Sequence, residues 1–201
     1  MTALTTAIVR KDVEAVKLLV SFESCPVNEC DSTGYTPLGL AVYFRNSAIV
    51  RALLTSTRAE NIDVNTGVAI GDVRCTPLHL ACIHGDIGIV RDLLATWRAR
   101  INAKAYKQYT PLHMACISSQ TEVVALLASL ESCDVNAQAY EGNTPLHLAV
   151  ECCGNIDIAR VLMNCNRIKP STRNSHGFTP LDVARILGKE PITELLLSHW
   201  N

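Results

Sequence analysis

A hexapeptide that recurs along the chain constrains its fold more than any other feature. It reads Thr-Pro-Leu-His-Leu-Ala at 76–81, and close copies begin at 110 and 144. Looser copies, with Gly39 or Asp182 in place of the histidine, begin at 36 and 179. The motif threonines are therefore 40, 34, 34 and 35 residues apart. A period of this length indicates a repeat protein, in which each unit buries its apolar surface against its neighbours.

Each copy of the hexapeptide also carries the signals of a helix start. The hydroxyl of Thr76 can accept a hydrogen bond from a backbone N–H of the first turn. Pro77 suits the first helical position, where no N–H is needed. Leu78 and Ala81 then lie on one helix face, because they are three residues apart. The sequence therefore predicts a helix directly after each motif threonine.

The period and the hexapeptide together resemble the ankyrin repeat, and the resemblance covers almost the whole chain. It implies an all-α fold, an ankyrin-repeat solenoid of helix-turn-helix units joined by β-hairpin-like fingers. One domain, 1–201, is expected, with six repeats at about 1–34, 35–74, 75–108, 109–142, 143–177 and 178–201. The resemblance also implies that His79, His113 and His147 hydrogen-bond near the threonine of their own turn. A metal or catalytic role for these histidines is the alternative.

Three repeats depart from the pattern. The second repeat has extra residues on both sides of Asn65, which we expect to extend the end of its second helix and to enlarge its hairpin. The third repeat has Ala105 where the family usually has Asp, and Gln108 where it usually has Gly, so the standard hairpin geometry is in question there. The fifth repeat has one extra residue in 151–155, between its two helices.

Composition narrows the classes of function. The net charge of −1 gives no reason to expect nucleic acid or an acidic membrane as a partner. No apolar run reaches the length of a membrane-spanning helix, and the first residues do not resemble a signal peptide. The nine cysteines are odd in number and their spacing follows the repeat. We therefore expect reduced thiols and a cytoplasmic or nuclear location.

Enzyme signatures were not found. The chain has no Gly-rich phosphate loop and no Gly-x-Ser-x-Gly elbow. Cys152 and Cys153 have no histidine at metal-ligand spacing. We therefore expect no catalytic residue, no metal, no cofactor and no small-molecule substrate. A cysteine-dependent enzyme, for example with Cys116 paired to His84 across repeats, is the alternative.

The resemblance implies a concave groove, formed by the fingers and the exposed end of each first helix. Seven of the ten aromatic residues fall in these positions. Exposed aromatic residues on a rigid surface are common anchors of protein interfaces. The predicted partner-binding residues are Tyr35, Tyr43, Phe44, Ile83, His84, Tyr106, Tyr109, Ile117, Tyr140, Glu151 and Phe178. Some of these rings could instead pack against the next finger and only stiffen it.

Two further sets of residues have open interpretations. The basic residues Arg98, Arg100, Lys104 and Lys107 could form a solvated helix end or a site for an anion or an acidic peptide. Four asparagines match the position at which ankyrin proteins can be hydroxylated, and a structural role is the alternative. They are Asn28, Asn65, Asn102 and Asn136.

The sequence thus predicts a non-enzymatic module that binds another protein or a peptide and acts as an adaptor, scaffold or inhibitor. One alternative is a sequestering protein similar to the NF-kappa-B inhibitors, which also have about six repeats. Another is the targeting or regulatory domain of a larger enzyme or channel. The partner itself cannot be named from these residues.

Overall fold

The computed structural model of the protein describes residues 2–66, 68–70, 73–153 and 155–198. The chain forms two compact units, Met1–Arg100 and Ile101–Asn201, called here the N-terminal and C-terminal units. The N-terminal unit contains helices α1 Ala3–Val9, α2 Val13–Ser21, α3 Pro37–Tyr43, α4 Ser47–Leu54, α5 Pro77–His84 and α6 Ile87–Leu94, with strands β1 Val68–Ile70 and β2 Val73–Cys75. The C-terminal unit contains α7 Pro111–Ile117, α8 Thr121–Ser129, α9 Pro145–Leu148, α10 Ile156–Met163, α11 Pro180–Ile186 and α12 Glu190–Ser198.

Within each unit the helices pair and stack as the repeat predicts. In the N-terminal unit α1, α3 and α5 pack in one row and α2, α4 and α6 in a second row. In the C-terminal unit α7, α9 and α11 form one row and α8, α10 and α12 the other. The first repeat keeps the motif spacing at Thr2, Leu4 and Ala7, without the proline. The leucines and alanines of all six copies are buried between the helices, at Leu4, Leu38, Leu78, Leu112, Leu146, Leu181, Ala7, Ala41, Ala81, Ala115, Ala149 and Ala184. The expected all-α arrangement of helix-turn-helix units is therefore confirmed.

The motif histidine closes the first turn of its helix and also reaches the following repeat. In α9, the Thr144 N–H donates to His147 Nδ1 at 3.2 Å. Because that nitrogen accepts, the proton of the neutral ring lies on Nε2, which donates to the Phe178 carbonyl oxygen at 2.9 Å. His113 makes the same pair of contacts with Thr110 and with the Asn143 carbonyl. In α11 the carboxylate of Asp182 takes over the contact with the Thr179 N–H, at 2.9 Å.

The free energy of unfolding should decrease as the pH falls, because His147 binds a proton more readily in the unfolded chain. Burial lowers the pKa of His147, although its hydrogen bond to the Phe178 carbonyl opposes this effect. Above the unfolded pKa of about 6.5 the ring is neutral in both states, so its titration has no effect. As pH falls below that value the unfolded chain binds the proton first, and the free energy of unfolding decreases by at most about 1.4 kcal/mol per pH unit.

This decrease can be measured by urea unfolding between pH 7.5 and 5. His147→Gln should make the free energy of unfolding less dependent on pH, because the glutamine amide does not titrate. Identical pH dependences for wild type and His147→Gln would show that the pKa of this ring does not change on folding.

The finger loops keep one backbone geometry in spite of their different sequences. In the third repeat the Ala105 N–H donates to the Tyr109 carbonyl at 2.8 Å, and in the fourth the Ala139 N–H donates to Asn143 at 2.9 Å. The first and fifth repeats make the same bond, from Asp31 to Tyr35 and from Asn174 to Phe178. The standard geometry therefore persists in the third repeat, although Gln108 occupies the glycine position with φ 63°.

Gln108→Gly should stabilise the protein. A residue with a Cβ in the left-handed region costs about 1–2 kcal/mol, and the greater flexibility of glycine in the unfolded chain offsets about 0.5–1 kcal/mol of the gain. We expect a net increase of about 0.5–1 kcal/mol in the free energy of unfolding, measured by denaturant titration. Gln108→Ala keeps the Cβ and should change little. Equal effects of the two substitutions would contradict this explanation.

The second repeat differs from the expectation in its helix and agrees in its hairpin. Helix α4 ends at Leu54, so the predicted helix extension is wrong. The hydroxyls of Thr55 and Ser56 donate to the Arg51 and Leu53 carbonyls at 2.8 Å each, and such local bonds compete with helix continuation. A short 3₁₀ turn, Ala59–Asn61, follows.

The hairpin of the second repeat is longer than the other fingers. Its strands β1 and β2 run antiparallel, with Val68 opposite Cys75 and Ile70 opposite Val73. Three residues of the predicted insertion, at 67, 71 and 72, lie outside the described residues. The extra residue of the fifth repeat coincides with a π-helical segment, Ala149–Cys153, that continues α9. Residue 154 of the same insertion also lies outside the described residues.

Asparagine side chains join each repeat to the backbone of the next one within a unit. Asn136 Nδ2 donates to the Arg167 carbonyl at 2.8 Å, and its Oδ1 accepts from the Lys169 N–H at 2.7 Å. Asn28, Asn65 and Asn102 make the equivalent pair of bonds. All four positions singled out by the sequence therefore have a structural role.

Arginine side chains make a second set of links between repeats. The Arg98 guanidinium donates to the Ala59, Glu60 and Ile62 carbonyl oxygens at 2.8–3.0 Å. Arg58 and Arg167 reach the preceding repeat of their own unit in the same way. Because the Arg98 guanidinium donates to these backbone carbonyls, the structure argues against the alternative in which Arg98 belongs to an anion site.

Candidate partner-binding surface

In the N-terminal unit, Tyr43 lies at the centre of a cluster of aromatic rings. Its ring centroid is 5.2 Å from that of Tyr35 and 5.4 Å from that of Phe44, both edge-to-face. The His84 ring lies 6.4 Å away, in the following repeat. Tyr43 remains 46% exposed. The sequence predicted all four of these residues for the partner-binding surface, and the structure brings them together.

The ends of the first helices position this cluster. Helix α3 ends at Tyr43, and the left-handed Arg45 (φ 54°) then turns the chain into α4. Arg45 also holds Asp86 of the next repeat through two hydrogen bonds of 2.9 Å, which fixes the two helix ends to each other. The Nδ1 atom of His84 is buried and has no hydrogen-bond partner among the described residues. The cluster thus combines a partly exposed surface of aromatic rings with a buried polar atom that has no hydrogen-bond partner among the described residues.

In the C-terminal unit, two finger tips present a second aromatic pair. Lys107 Nζ lies 4.1 Å from the ring centroid of Tyr140 and 5.7 Å from that of Tyr106. Both rings are exposed, and a cation over a tyrosine face contributes about 0.5–1 kcal/mol at such sites. Lys107 therefore links the two predicted tyrosines, Tyr106 and Tyr140, which remain 52% and 45% exposed.

A small pocket lies at the other end of the C-terminal unit, and we call it the C-terminal pocket. Its volume is about 240 Å³. It contains two predicted residues, Glu151 and Phe178, of which Phe178 is 42% exposed. The complete lining is Glu141, Asn143, Glu151, Asn174, His176, Phe178, Val183, Ile186 and Leu187.

The remaining predicted residues are less exposed. Tyr109 is half-buried, and its ring centroid lies 5.9 Å from that of His113. Ile83 and Ile117 are also half-buried, at the ends of α5 and α7. These three residues are at the predicted positions but present less surface than the rings of Tyr43, Tyr106 and Tyr140.

Sequence reasoning missed several exposed apolar residues, four of which are informative about the surface. Val9, Ile186 and Leu187 occupy the first-helix ends of the first and sixth repeats, and Ile186 is 64% exposed. The register that identified Tyr43 and Phe44, seven and eight residues after the motif threonine, would have found them. Trp97 is 94% exposed in the turn after α6 and has no counterpart in that register.

The structure also gives observations on a catalytic cysteine, a metal site and a membrane-spanning helix. Cys116 is 0% exposed, so its sulfur is not accessible to a substrate. Burial raises the pKa of the Cys133 thiol to about 12, which disfavours the reactive thiolate. Across the described part of the chain, no three His, Cys, Asp or Glu side chains are placed to hold a metal ion. No described helix has the length and apolar character needed to cross a membrane.

Comparison with known proteins places the chain among repeat proteins. A family model described as ankyrin repeats (3 copies) matches residues 1–68, 62–139, 78–174 and 130–201. A search of curated proteins found no match.

Solved structures agree with the family match. The ankyrin repeat domain of Bcl-3, described as a member of the IkappaB protein family, superimposes with a TM-score of 0.85 at 26% identity, over 99% of this chain and 86% of that one. The ankyrin repeat protein EF0377 gives 0.87 at 27% identity, over 99% and 98%. An ankyrin repeat domain from Acinetobacter baumannii AYE gives 0.85 at 26% identity, over 98% and 96%.

Proposed function

Because the chain belongs to the ankyrin-repeat family, whose fold generally serves protein–protein interaction, we propose that it is a non-enzymatic module that binds another protein or a peptide. It uses the first-helix ends and finger loops of its repeats as the binding surface. As an adaptor, scaffold or inhibitor it would act by occupying a surface of its partner. A fold alone does not specify a function, so the proposal depends on the chemistry of this surface.

The exposed aromatic cluster around Tyr43 carries the proposal. Edge-to-face contacts with Tyr35 and Phe44 hold the Tyr43 ring in place before any partner arrives. A ring that is already ordered loses little conformational entropy on binding. Aromatic anchors of this kind commonly supply most of the affinity of an interface.

The expected class of partner and the expected cellular location are supported by separate observations. We expect no nucleic-acid partner, since a net charge of −1 gives little electrostatic attraction to phosphates. We expect no small-molecule substrate at the proposed surface, since the pocket that contains Glu151 has a volume of about 240 Å³, below the range of about 300–1,000 Å³ typical of small-molecule sites. A cytoplasmic or nuclear location is supported by the free thiols of Cys75 and Cys133, which are buried in the core.

The test is an affinity capture from cell extract with three baits of equal thermal stability. The surface variant carries Tyr43→Ala, Tyr106→Ala and Tyr140→Ala, which are exposed rings whose removal should not disturb the core. The control variant carries Phe22→Ala and Trp97→Ala, which are exposed rings outside the proposed surface. We expect a protein that wild type and the control recover and the surface variant loses. Recovery by all three baits would place the binding site elsewhere.

A sequestering protein similar to the IkappaB family is a second candidate function. Its support is the similarity to the Bcl-3 ankyrin repeat domain, which stands beside equally similar ankyrin structures of other origin. Co-elution of the purified chain with an NF-kappa-B dimer in size-exclusion chromatography would favour it, and separate elution would reject it. The third candidate, a regulatory domain of a larger enzyme or channel, requires further coding sequence next to this one in the source transcript.

A further inference from the structure

The apolar wall of the C-terminal pocket consists of side chains that folded proteins usually cover. Phe178, Ile186 and Leu187 are 42%, 64% and 45% exposed, and Val183 lies beside them. Single exposed apolar residues are ordinary, whereas several around one depression indicate an interaction site. The pocket volume of about 240 Å³ suits a side chain of a partner protein better than a drug-sized molecule.

The rim of this pocket is acidic. Glu141 and Glu151 both line it, and no lysine or arginine is among the lining residues. The Nε2 atom of His176 lies 3.7 Å from Glu141 Oε2. Arg173, just outside the lining, donates to the Gly177 carbonyl at 2.6 Å and lies 3.8 Å from the Asp182 carboxylate. The two glutamates are therefore left with little compensating charge.

The neighbouring Tyr109 responds to the same charges. Burial is the main cause that raises the pKa of Tyr109, followed by the Cys152 thiol and the carboxylates of Glu151 and Glu141. The negative charge of the rim thus extends toward one of the residues predicted for partner binding.

The segment 151–155, which holds the extra residue of the fifth repeat, contributes Glu151 to this rim. The first-helix ends of the other repeats carry an apolar residue seven positions after the motif threonine, at Val9, Tyr43, Ile83, Ile117 and Ile186. The fifth repeat carries Glu151 there, on the π-helical segment Ala149–Cys153. Single π-helical turns are rare and occur frequently at functional sites. A carboxylate in a position that is otherwise apolar marks this end of the surface as different in specificity.

We propose that the C-terminal pocket binds a segment of a partner protein in which a large apolar residue has a lysine or arginine beside it. The apolar side chain packs against Phe178 and Leu187, and the cation lies between Glu141 and Glu151. Charge complementarity selects this occupant over acidic or uncharged segments. The inference rests on the proposed function and deepens it, because it assigns the chemistry of the partner to one part of the binding surface.

A positional-scanning library of fluorescein-labelled octapeptides tests this directly. Fluorescence polarisation of wild-type protein should rank highest the peptides with Leu, Met or Phe next to Lys or Arg. The best peptide is then titrated against Glu151→Lys and Ile186→Ser, which alter the rim and the wall at exposed positions. Each should weaken binding about tenfold, because one reverses a charge and the other removes apolar contact.

The matched control is Glu194→Lys, which makes the same charge change at an exposed position of α12 that does not line the pocket. It should bind as wild type does, and circular dichroism should confirm that every variant is folded. A preference for acidic or uncharged peptides overturns the inference, as does a library without a binder. Equal affinities of Glu151→Lys and Glu194→Lys also overturn it.

The two proposals fail in distinguishable ways. If the partner recovered in the affinity capture is lost by the variant lacking Tyr43, Tyr106 and Tyr140 but retained by Glu151→Lys and Ile186→Ser, the proposed function stands and the pocket inference fails. If the library selects basic-apolar peptides but the aromatic variant retains every captured protein, the pocket binds as inferred and the aromatic surface is not the principal site.

Discussion

Gly142→Ala should lower the free energy of unfolding by about 2–4 kcal/mol. Gly142 has φ +69°, where an added Cβ costs about 1–2 kcal/mol by itself. The new Cβ would also lie 2.9 Å from the Ser175 backbone nitrogen and 3.0 Å from its Oγ. The Ser175 N–H donates to the Glu141 carbonyl at 2.8 Å, so the neighbouring finger cannot withdraw without breaking that bond.

Gly177→Ala separates the two contributions. Gly177 has φ +79° in the equivalent position of the next finger, but no described atom beyond its chain neighbours lies within 4 Å of the position that a Cβ would occupy. It should therefore show the backbone cost alone, about 1 kcal/mol. Urea titrations of both variants would measure the difference. Equal losses for the two would mean that the finger contact at Ser175 is not rigid.

Arg167→Ala should have an effect of similar size for a different reason. The Arg167 guanidinium donates to four carbonyl oxygens of the preceding repeat, at Ala128, Leu130, Glu131 and Cys133, over 2.6–3.2 Å. Hydrogen bonds from charged donors contribute about 1.5–3 kcal/mol each, but partial exposure and shared geometry make the four far from additive. We expect a net loss of about 2–4 kcal/mol in the free energy of unfolding.

Two variants distinguish this explanation from a general effect of removing an arginine. Arg160→Ala removes an exposed guanidinium of the same unit that pairs with Asp157 at 2.9 Å, and it should change stability little. Arg167→Lys keeps the charge but has no planar fork to reach several carbonyls, so it should recover only part of the loss. Full recovery by lysine in thermal unfolding would show that charge alone matters at this position.

The repeat itself could be predicted from the sequence because its signals are local. The threonine cap, the following proline and the spacing of Leu78 and Ala81 act within one helical turn, and the structure follows them in every repeat. The first-helix ends and the residue before each motif threonine could also be counted directly from the motif, which put Tyr35, Tyr43, Phe44 and His84 in the predicted set. The structure brings these four residues together in one cluster.

The features that the sequence did not predict depend on contacts between side chains and backbone that the spacing of residues does not reveal. The end of α4 is decided by hydroxyls that bond back to the helix, and the extra residues after Leu54 were therefore assigned wrongly to the helix. The role of Arg98 depends on carbonyls nearly forty residues earlier in the chain, at Ala59 and Glu60. The division into one 1–201 domain with the stated repeat boundaries and the binding role of the eleven surface residues stay predictions.

The asparagine bridges have a consequence for how the protein opens. Asn136 ties the loop of one repeat to two backbone groups of the next, and no described asparagine bridge skips a repeat. Each repeat is therefore stabilised mainly by its neighbours in the same unit, as in a one-dimensional array. Amide protons near such a bridge should exchange with deuterium only when the adjoining repeat also loosens. Amides on the two sides of one bridge should therefore show similar protection against exchange, even where their individual burial differs.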